Sequence, residues 1–196
     1  IQGSNFNDIL IGNGSSNTLK GGNGDDNIEG RAGNDSLYGE NDDDTIKGGL
    51  GDDYINGGAG NDTADYSDAT ATGVTVNLGT ATAQNVGGGL GSDTLVSIEN
   101  LIGSSFKDIL TGDAQANVIT AKEGDDTLRG NGGADSLYGN EGADTFIQTA
   151  GDTTGDVIDG GSEADASRGN DTVDYSAFTD ANGIKVSLND EGLSNV

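Results

Sequence analysis

Residues 21–65 read in nines as GGNGDDNIE (21–29), GRAGNDSLY (30–38), GENDDDTIK (39–47), GGLGDDYIN (48–56) and GGAGNDTAD (57–65). Gly opens every unit, Asp26, Asp35, Asp44, Asp53 and Asp62 fall sixth, and Ile28, Leu37, Ile46, Ile55 and Ala64 fall eighth. Backwards, the frame takes in GNGSSNTLK (12–20) and GSNFNDILI (3–11), with Asn17 and Asp8 sixth and Leu19 and Leu10 eighth. A flexible linker of the same Gly/Asp/Asn composition does not keep an apolar residue at every ninth place. The period therefore marks a structural unit that buries one side chain per repeat.

Forward of Asp65 the rule lapses. Val74, Val76 and Leu78 alternate, the period of a strand with one buried face. A full unit, GGLGSDTLV, returns at Gly88 with Asp93 sixth, and SIENLI leads into a second array. That array opens with GSSFKDILT at Gly103, nearly repeating GSNFNDILI, and continues GDAQANVIT, AKEGDDTLR, GNGGADSLY and GNEGADTFI. Asp108, Asn117, Asp126, Asp135 and Asp144 are sixth; Leu110, Ile119, Leu128, Leu137 and Phe146 are eighth. After an insertion at 148–150, GDTTGDVID restores the frame with Asp156 sixth, and a longer interruption within 160–174 precedes GNDTVDYS, which contains Asp171.

GNDTVDYS repeats GNDTADYS at Gly60, and Ile184, Val186 and Leu188 repeat the alternation of Val74, Val76 and Leu78. The larger repeat is about 100 to 110 residues. The expected organisation is a first array over 1–65, a strand-bearing insert with one further unit over 66–102, a second array over 103–174, and the start of a truncated second insert over 175–196. A longer parent chain is the corollary.

Composition narrows the chemistry. The 196 residues carry a formal charge of −26, with 34 Asp and Glu against 8 Lys and Arg, and no His, Cys, Met, Trp or Pro. Thiol and imidazole catalysis, disulfides and ordinary zinc sites are excluded, while hard oxygen ligands suit calcium or magnesium. Such a charge repels a phosphate backbone, so nucleic acid is no partner. No apolar run reaches the length of a membrane-spanning helix, and no signal sequence opens the chain. Leu, Ile, Val and Phe number 39 of 196, about the 20% line below which a highly charged chain is disordered. A fold of this composition needs a further source of stability, and bound cations supply one.

The pattern G-G-x-G-x-D-x-U-x, with U large and apolar, is met in full at Gly21, Gly48 and Gly88. It resembles the RTX (repeats-in-toxin) nonapeptide of hemolysin-type calcium-binding proteins. The resemblance implies an all-β fold, a right-handed parallel β-roll (a β-solenoid of 18 residues per coil) in two arrays with an intervening β-strand insert. Two nonapeptides make a coil, so units n and n+2 share an edge and their sixth-position acids become neighbours, which repel unless a cation lies between them.

The resemblance also implies the ligands. Carbonyls of positions two and four with the sixth-position Asp of one turn face carbonyls of positions one and three with the sixth-position Asp of the next. One site takes Gly22, Gly24 and Asp26 with Gly39, Asn41 and Asp44. The next takes Arg31, Gly33 and Asp35 with Gly48, Leu50 and Asp53, and a third Glu40, Asp42 and Asp44 with Gly57, Ala59 and Asp62. Asp108 with Asp126, Asn117 with Asp135, and Asp126 with Asp144 repeat the arrangement, which draws in Gly130, Gly132, Gly139 and Glu141; Asp93, Asp156 and Asp171 complete the set. Five pairs per array give roughly ten Ca2+ ions, whose charge nearly offsets the formal −26.

Departures weaken particular turns. Arg31, Glu40 and Asp42 replace glycines and are expected to strain or alter the turn. Asn17 and Asn117 offer a neutral oxygen, and Ala121 with Lys122 replace the paired glycines, so affinity is expected to fall there. Ala64 fills an inward place poorly, which suits the end of a roll.

Functionally, the resemblance implies a non-catalytic, calcium-binding module of a large secreted bacterial protein, exported by type I secretion and folding on extracellular Ca2+. The internal duplication favours an adhesin or surface-layer parent, with a cell surface, surface glycans or copies of itself as partners. The alternative is the export module of a secreted protease, lipase or alginate epimerase. Paired acids such as Asp25 and Asp26 recur as lattice elements, unlike a glycosidase pair, which occurs once.

Overall fold

A computed structural model describes residues 1–149, 155–161 and 170–177. The residue 184–188 alternation and most of the second insert lie outside the described residues. No helix occurs among them. Eighteen strands follow in chain order: β1 (Ile9–Ile11), β2 (Thr18–Asn23), β3 (Asn27–Ala32), β4 (Ser36–Asn41), β5 (Thr45–Leu50), β6 (Tyr54–Ala59), β7 (Thr63–Asp65), β8 (Thr75–Asn77), β9 (Gln84–Gly87), β10 (Gly91–Val96), β11 (Asn100–Ile102), β12 (Ile109–Thr111), β13 (Val118–Glu123), β14 (Thr127–Arg129), β15 (Ser136–Glu141), β16 (Thr145–Thr149), β17 (Val157–Asp159) and β18 (Thr172–Ala177).

Within the arrays each strand pairs in parallel with the strand two units on, so Ile9 lies beside Asn27 and Thr18 beside Ser36. Two faces result. The eighth-position residues enter between them: Leu19, Ile28, Leu37, Ile46, Leu101, Leu110, Ile119, Leu128, Leu137 and Phe146 are completely buried. Burying each such side chain contributes about 1.5–3 kcal/mol, and the neighbours in the stack are again aliphatic or aromatic. In the longer strands the in–out alternation starts at position seven and runs into the first positions of the next unit, as in β4 and β15, and the remaining turn residues line both edges.

One face is a single eight-stranded sheet, ordered β1-β3-β5-β7-β11-β13-β15-β17. Both arrays therefore share one roll on that face. Ala64 is fully buried between Ile46 and Leu101, so it does not end the stack as its size suggested. The chain skips from Asp65 to Asn100 and resumes the ladder in register.

The opposite face is interrupted. One sheet runs β2-β4-β6-β10-β9 and the other β8-β12-β14-β16-β18, with β9 antiparallel to β10. The break is bridged by an isolated pairing of Val74 with Gly87. It is also bridged by the Gln84 side chain, whose Oε1 accepts the Asn77 N–H (2.8 Å) and whose Nε2 donates to the Asn77 carbonyl (3.1 Å). Val74 and Val76 are buried as their alternation requires, together with Tyr66, Val86 and Leu90.

Candidate metal centres

Along each edge the sixth-position acids form a ladder. The backbone N–H of Asp26 donates to Asp44 Oδ1 (2.8 Å), and that of Asp44 to Asp62 Oδ1 (2.9 Å). On the other edge Asp35 donates to Asp53 (2.8 Å) and Asp53 to Asp93 (3.0 Å). In the second array Asp108 donates to Asp126, Asp126 to Asp144, Asn117 to Asp135, Asp135 to Asp156 and Asp144 to Asp171, all at 2.7–3.0 Å. The stacking brings together every pair expected from the repeat spacing. Asp156 is half-buried and Asp171 exposed, while the other acids of the set are buried.

One oxygen of each carboxylate is thus used by the neighbouring coil. The second oxygens of Asp26, Asp35, Asp44, Asp53, Asp62, Asp93, Asp126 and Asp144 are buried and accept no hydrogen bond. Leaving such an atom unsatisfied costs a desolvation penalty, larger for a charged group. Burial raises the pKa of Asp44, Asp93 and Asp126 to about 7 and of Asp53, Asp62 and Asp144 to about 6; the neighbouring coil's N–H opposes this, and adjacent carboxylates reinforce it. Asp26, Asp35 and Asp108 shift upward for the same first reason.

The free oxygens face carbonyls. A Cβ built on Gly39 would run into both Asp44 Oδ2 and the Gly57 carbonyl, and one on Gly21 into Asp26 Oδ2 and the Gly39 carbonyl. In these two turns a carboxylate and the next turn's carbonyl leave no room for a side chain at position one, whereas the Asp126 turn holds a fully buried Ala121 there. Gly22, Gly24 and Gly33 have φ of 124°, 102° and 111°, and the carbonyls at positions two and four below such turns point up into them, as Arg31, Glu40, Gly33 and Asp42 do. Position-three carbonyls point down: Leu50 accepts from Gly33 (2.8 Å), Ala59 from Asp42 (2.9 Å) and Glu141 from Gly124 (2.8 Å). Asn41 is joined to Asn23 by a side-chain bond of 2.9 Å. Gly48, Gly130 and Gly139 abut the carboxylates of Asp53, Asp135 and Asp144 in the same way, while Gly132 donates to the Asp113 carbonyl (3.1 Å). Each pocket combines a buried anionic oxygen with inter-turn carbonyls, a donor set of hard oxygens that fits calcium. Among the described residues no three acidic side chains cluster at one point, so carbonyls are indispensable to such a centre.

The first two turns of each array are built differently. Ser4 and Asn13 donate their N–H groups to the sixth-position side chains of their own turns, Asp8 and Asn17, and Ser104 and Asp113 do the same to Asp108 and Asn117. Asp108 is further used by the Ser104 hydroxyl (2.7 Å) and the Val74 N–H (2.7 Å). The Asn117 amide donates to the Glu99 carbonyl (2.8 Å), a bond that a carboxylate at this position could not make. These turns close on themselves.

Two residues outside the expected set emerge. Glu99 Oε2 accepts the Asp62 N–H (2.9 Å), occupying the ladder position of a sixth-position Asp; counting back two from Leu101 locates it. Tyr66, fully buried, presents its hydroxyl beside Asp93 without a well-aligned hydrogen bond.

The substituted turns keep their shape at a cost. Arg31, Glu40, Asp42 and Lys122 hold φ of 80°, 84°, 74° and 89°, where an L-residue costs roughly 1–2 kcal/mol. Lys122→Gly is expected to raise stability in saturating calcium by about 1 kcal/mol. A thermal unfolding midpoint equal to or below that of the unaltered chain would contradict this.

A solenoid whose edges alternate buried carboxylates with inward carbonyls is a cation-binding repeat scaffold. The RTX calcium-binding nonapeptide repeat matches the chain four times, over residues 2–37, 29–64, 98–128 and 120–152. The chain belongs to that family, a family of non-catalytic calcium-binding structural domains typical of secreted bacterial proteins. No curated protein matches the chain.

Proposed function

We propose that this chain is an ion-triggered structural module of a large secreted protein, disordered at cytosolic calcium and folded at extracellular calcium. The observation that carries the reading is the set of buried, unpartnered Oδ2 atoms of Asp26, Asp35, Asp44, Asp53, Asp62, Asp93, Asp126 and Asp144. At millimolar calcium and a site constant of about 0.1 mM, each ion adds roughly 1.5–2 kcal/mol; at submicromolar levels it adds almost nothing.

The ligand sets written above for the Asp26–Asp44, Asp35–Asp53 and Asp44–Asp62 turns are the leading sites. Asp53–Asp93, Asp126–Asp144 and Asp144–Asp171 follow, because their lower carboxylates are also unpartnered. Asp108–Asp126 and Asn117–Asp135 stand behind them, since the side chains of Asp108 and Asn117 are already engaged by their own turns and by Val74 and Glu99.

The duplicated design, in which both arrays open with self-closed turns, supports a tandem spacer in an adhesin or surface-layer protein exported by type I secretion. Far-ultraviolet circular dichroism and hydrodynamic radius of the metal-stripped chain at pH 7.5 test the module reading. A cooperative gain of β structure with compaction is expected at submillimolar to millimolar calcium and not with magnesium. Full β structure without metal sinks the proposal.

A further inference from the structure

The segment joining β10 to β11 contains none of the glycines that mark a nonapeptide turn. Glu99 follows the strand-ending Val96 by three residues, whereas Asp26 follows Lys20 by six. This short turn nevertheless reproduces the contacts of a full one. In the regular Asp26–Asp44 pair, the Asp26 N–H donates to the next carboxylate (2.8 Å) and the Asp26 carbonyl accepts the Thr45 N–H (2.9 Å). Asp26 Oδ2 faces the Gly39 carbonyl across Gly21.

In the Asp62–Glu99 pair, the Asp62 N–H donates to Glu99 Oε2 (2.9 Å), and the Asp62 carbonyl accepts the Asn100 N–H (2.9 Å). Asp62 Oδ2 faces the Ser97 carbonyl across Gly57. Ser97 is held at φ 48°, and that conformation delivers its carbonyl to this place. The longer Glu side chain makes up for the shorter backbone.

Asp62 is completely buried and its Oδ2 accepts no hydrogen bond. A second carboxylate, Glu99, stands beside it, and the ion pairs formed among the described residues, Lys20–Glu40, Arg31–Glu29 and Lys47–Asp65, involve neither. Two adjacent uncompensated carboxylates with a carbonyl directed between them call for a cation. We propose that Asp62, Glu99 and the Ser97 carbonyl form an off-pattern calcium site that closes the roll across the insert. It rests on the calcium reading of the regular turns. The short turn has no counterpart of the position-three carbonyl, so water completes the coordination. Calcium tolerates such an irregular, partly hydrated oxygen shell better than magnesium. This is the weakest ion of its edge, and it ties residues 37 apart, locking the second array to the first.

Calorimetric titration of the whole metal-stripped chain with calcium alone tests the site through stoichiometry and affinity. Glu99→Gln retains an oxygen for the Asp62 N–H and is expected to lose one ion, or to bind it at least about tenfold more weakly, while the remaining ions bind unchanged. Asp159→Asn, at an exposed position-nine residue outside every ligand set, is the control and retains every ion. If Glu99→Gln does not fold, Glu99→Asp replaces it; the side chain then falls short and the same ion weakens. Unaltered number and affinity in whichever variant folds overturns the site. An unaltered chain that binds no calcium at all overturns the underlying reading instead, a different result because the control then loses binding too.

Discussion

Asp44→Asn is expected to destabilise the calcium-loaded chain by about 3–4 kcal/mol, because in the proposed ligand sets Asp44 serves two consecutive ions, each worth roughly 1.5–2 kcal/mol. Its Oδ1 accepts the Asp26 N–H and its Oδ2 lies against the Gly57 carbonyl beneath Asp62. Without metal the sign reverses. The substitution then removes a buried charge flanked by Asp62, Asp26 and Asp25, whose repulsion adds to the desolvation of Asp44. Asn117 shows how an amide is tolerated in this position, donating to the carbonyl 18 residues back. Urea midpoints with and without calcium read both arms. Destabilisation of equal size in the two conditions would mean that Asp44 acts only through its hydrogen bonds.

The metal-free chain should gain β structure as pH falls from about 7.5 to 5. The relevant carboxyls have folded-state pKa values of about 6 to 7 against 3.8 for an exposed Asp. Between those values the folded chain binds more protons than the unfolded one, so stability falls as pH rises. Their contribution is complete below pH 3.8 and lost as pH passes through 6 to 7. Calcium inverts the dependence, since it competes with these protons: affinity declines on acidification, and binding near pH 6.5 releases protons measurable in a pH-stat. Circular dichroism of the metal-stripped chain that is flat over this range would show that the carboxylates are solvated rather than buried.

The strand positions, the inward eighth residues and both acid ladders were legible in the nonapeptide period, because one period governs backbone pairing and side-chain direction together. The joint between the arrays was not. Ala64 looked like a terminus, yet a methyl suffices where Ile46 and Leu101 meet above and below it. Glu99 escaped because the frame was read from opening glycines, which its turn lacks. The self-closed turns had a faint mark, Ser4 and Ser104 in place of a second glycine, but its meaning required seeing their N–H groups turned back on Asp8 and Asp108. The strain at Arg31, Glu40 and Asp42 followed directly from non-glycine residues in glycine places.

The ladder is directional. Each acid's amide is capped by a carboxylate one coil later in the stack, never earlier, while the opening turns of an array also bond back on their own side chains. A growing roll therefore has unlike ends. A coil added ahead of finished coils finds its capping oxygen already in place, whereas one added behind them must supply the oxygen its predecessor lacks. Assembly that begins at the later coils adds units one at a time onto a template, and assembly from the first coils leaves an uncapped amide at every step. Polar growth of this kind favours chains whose later segments become free to fold first.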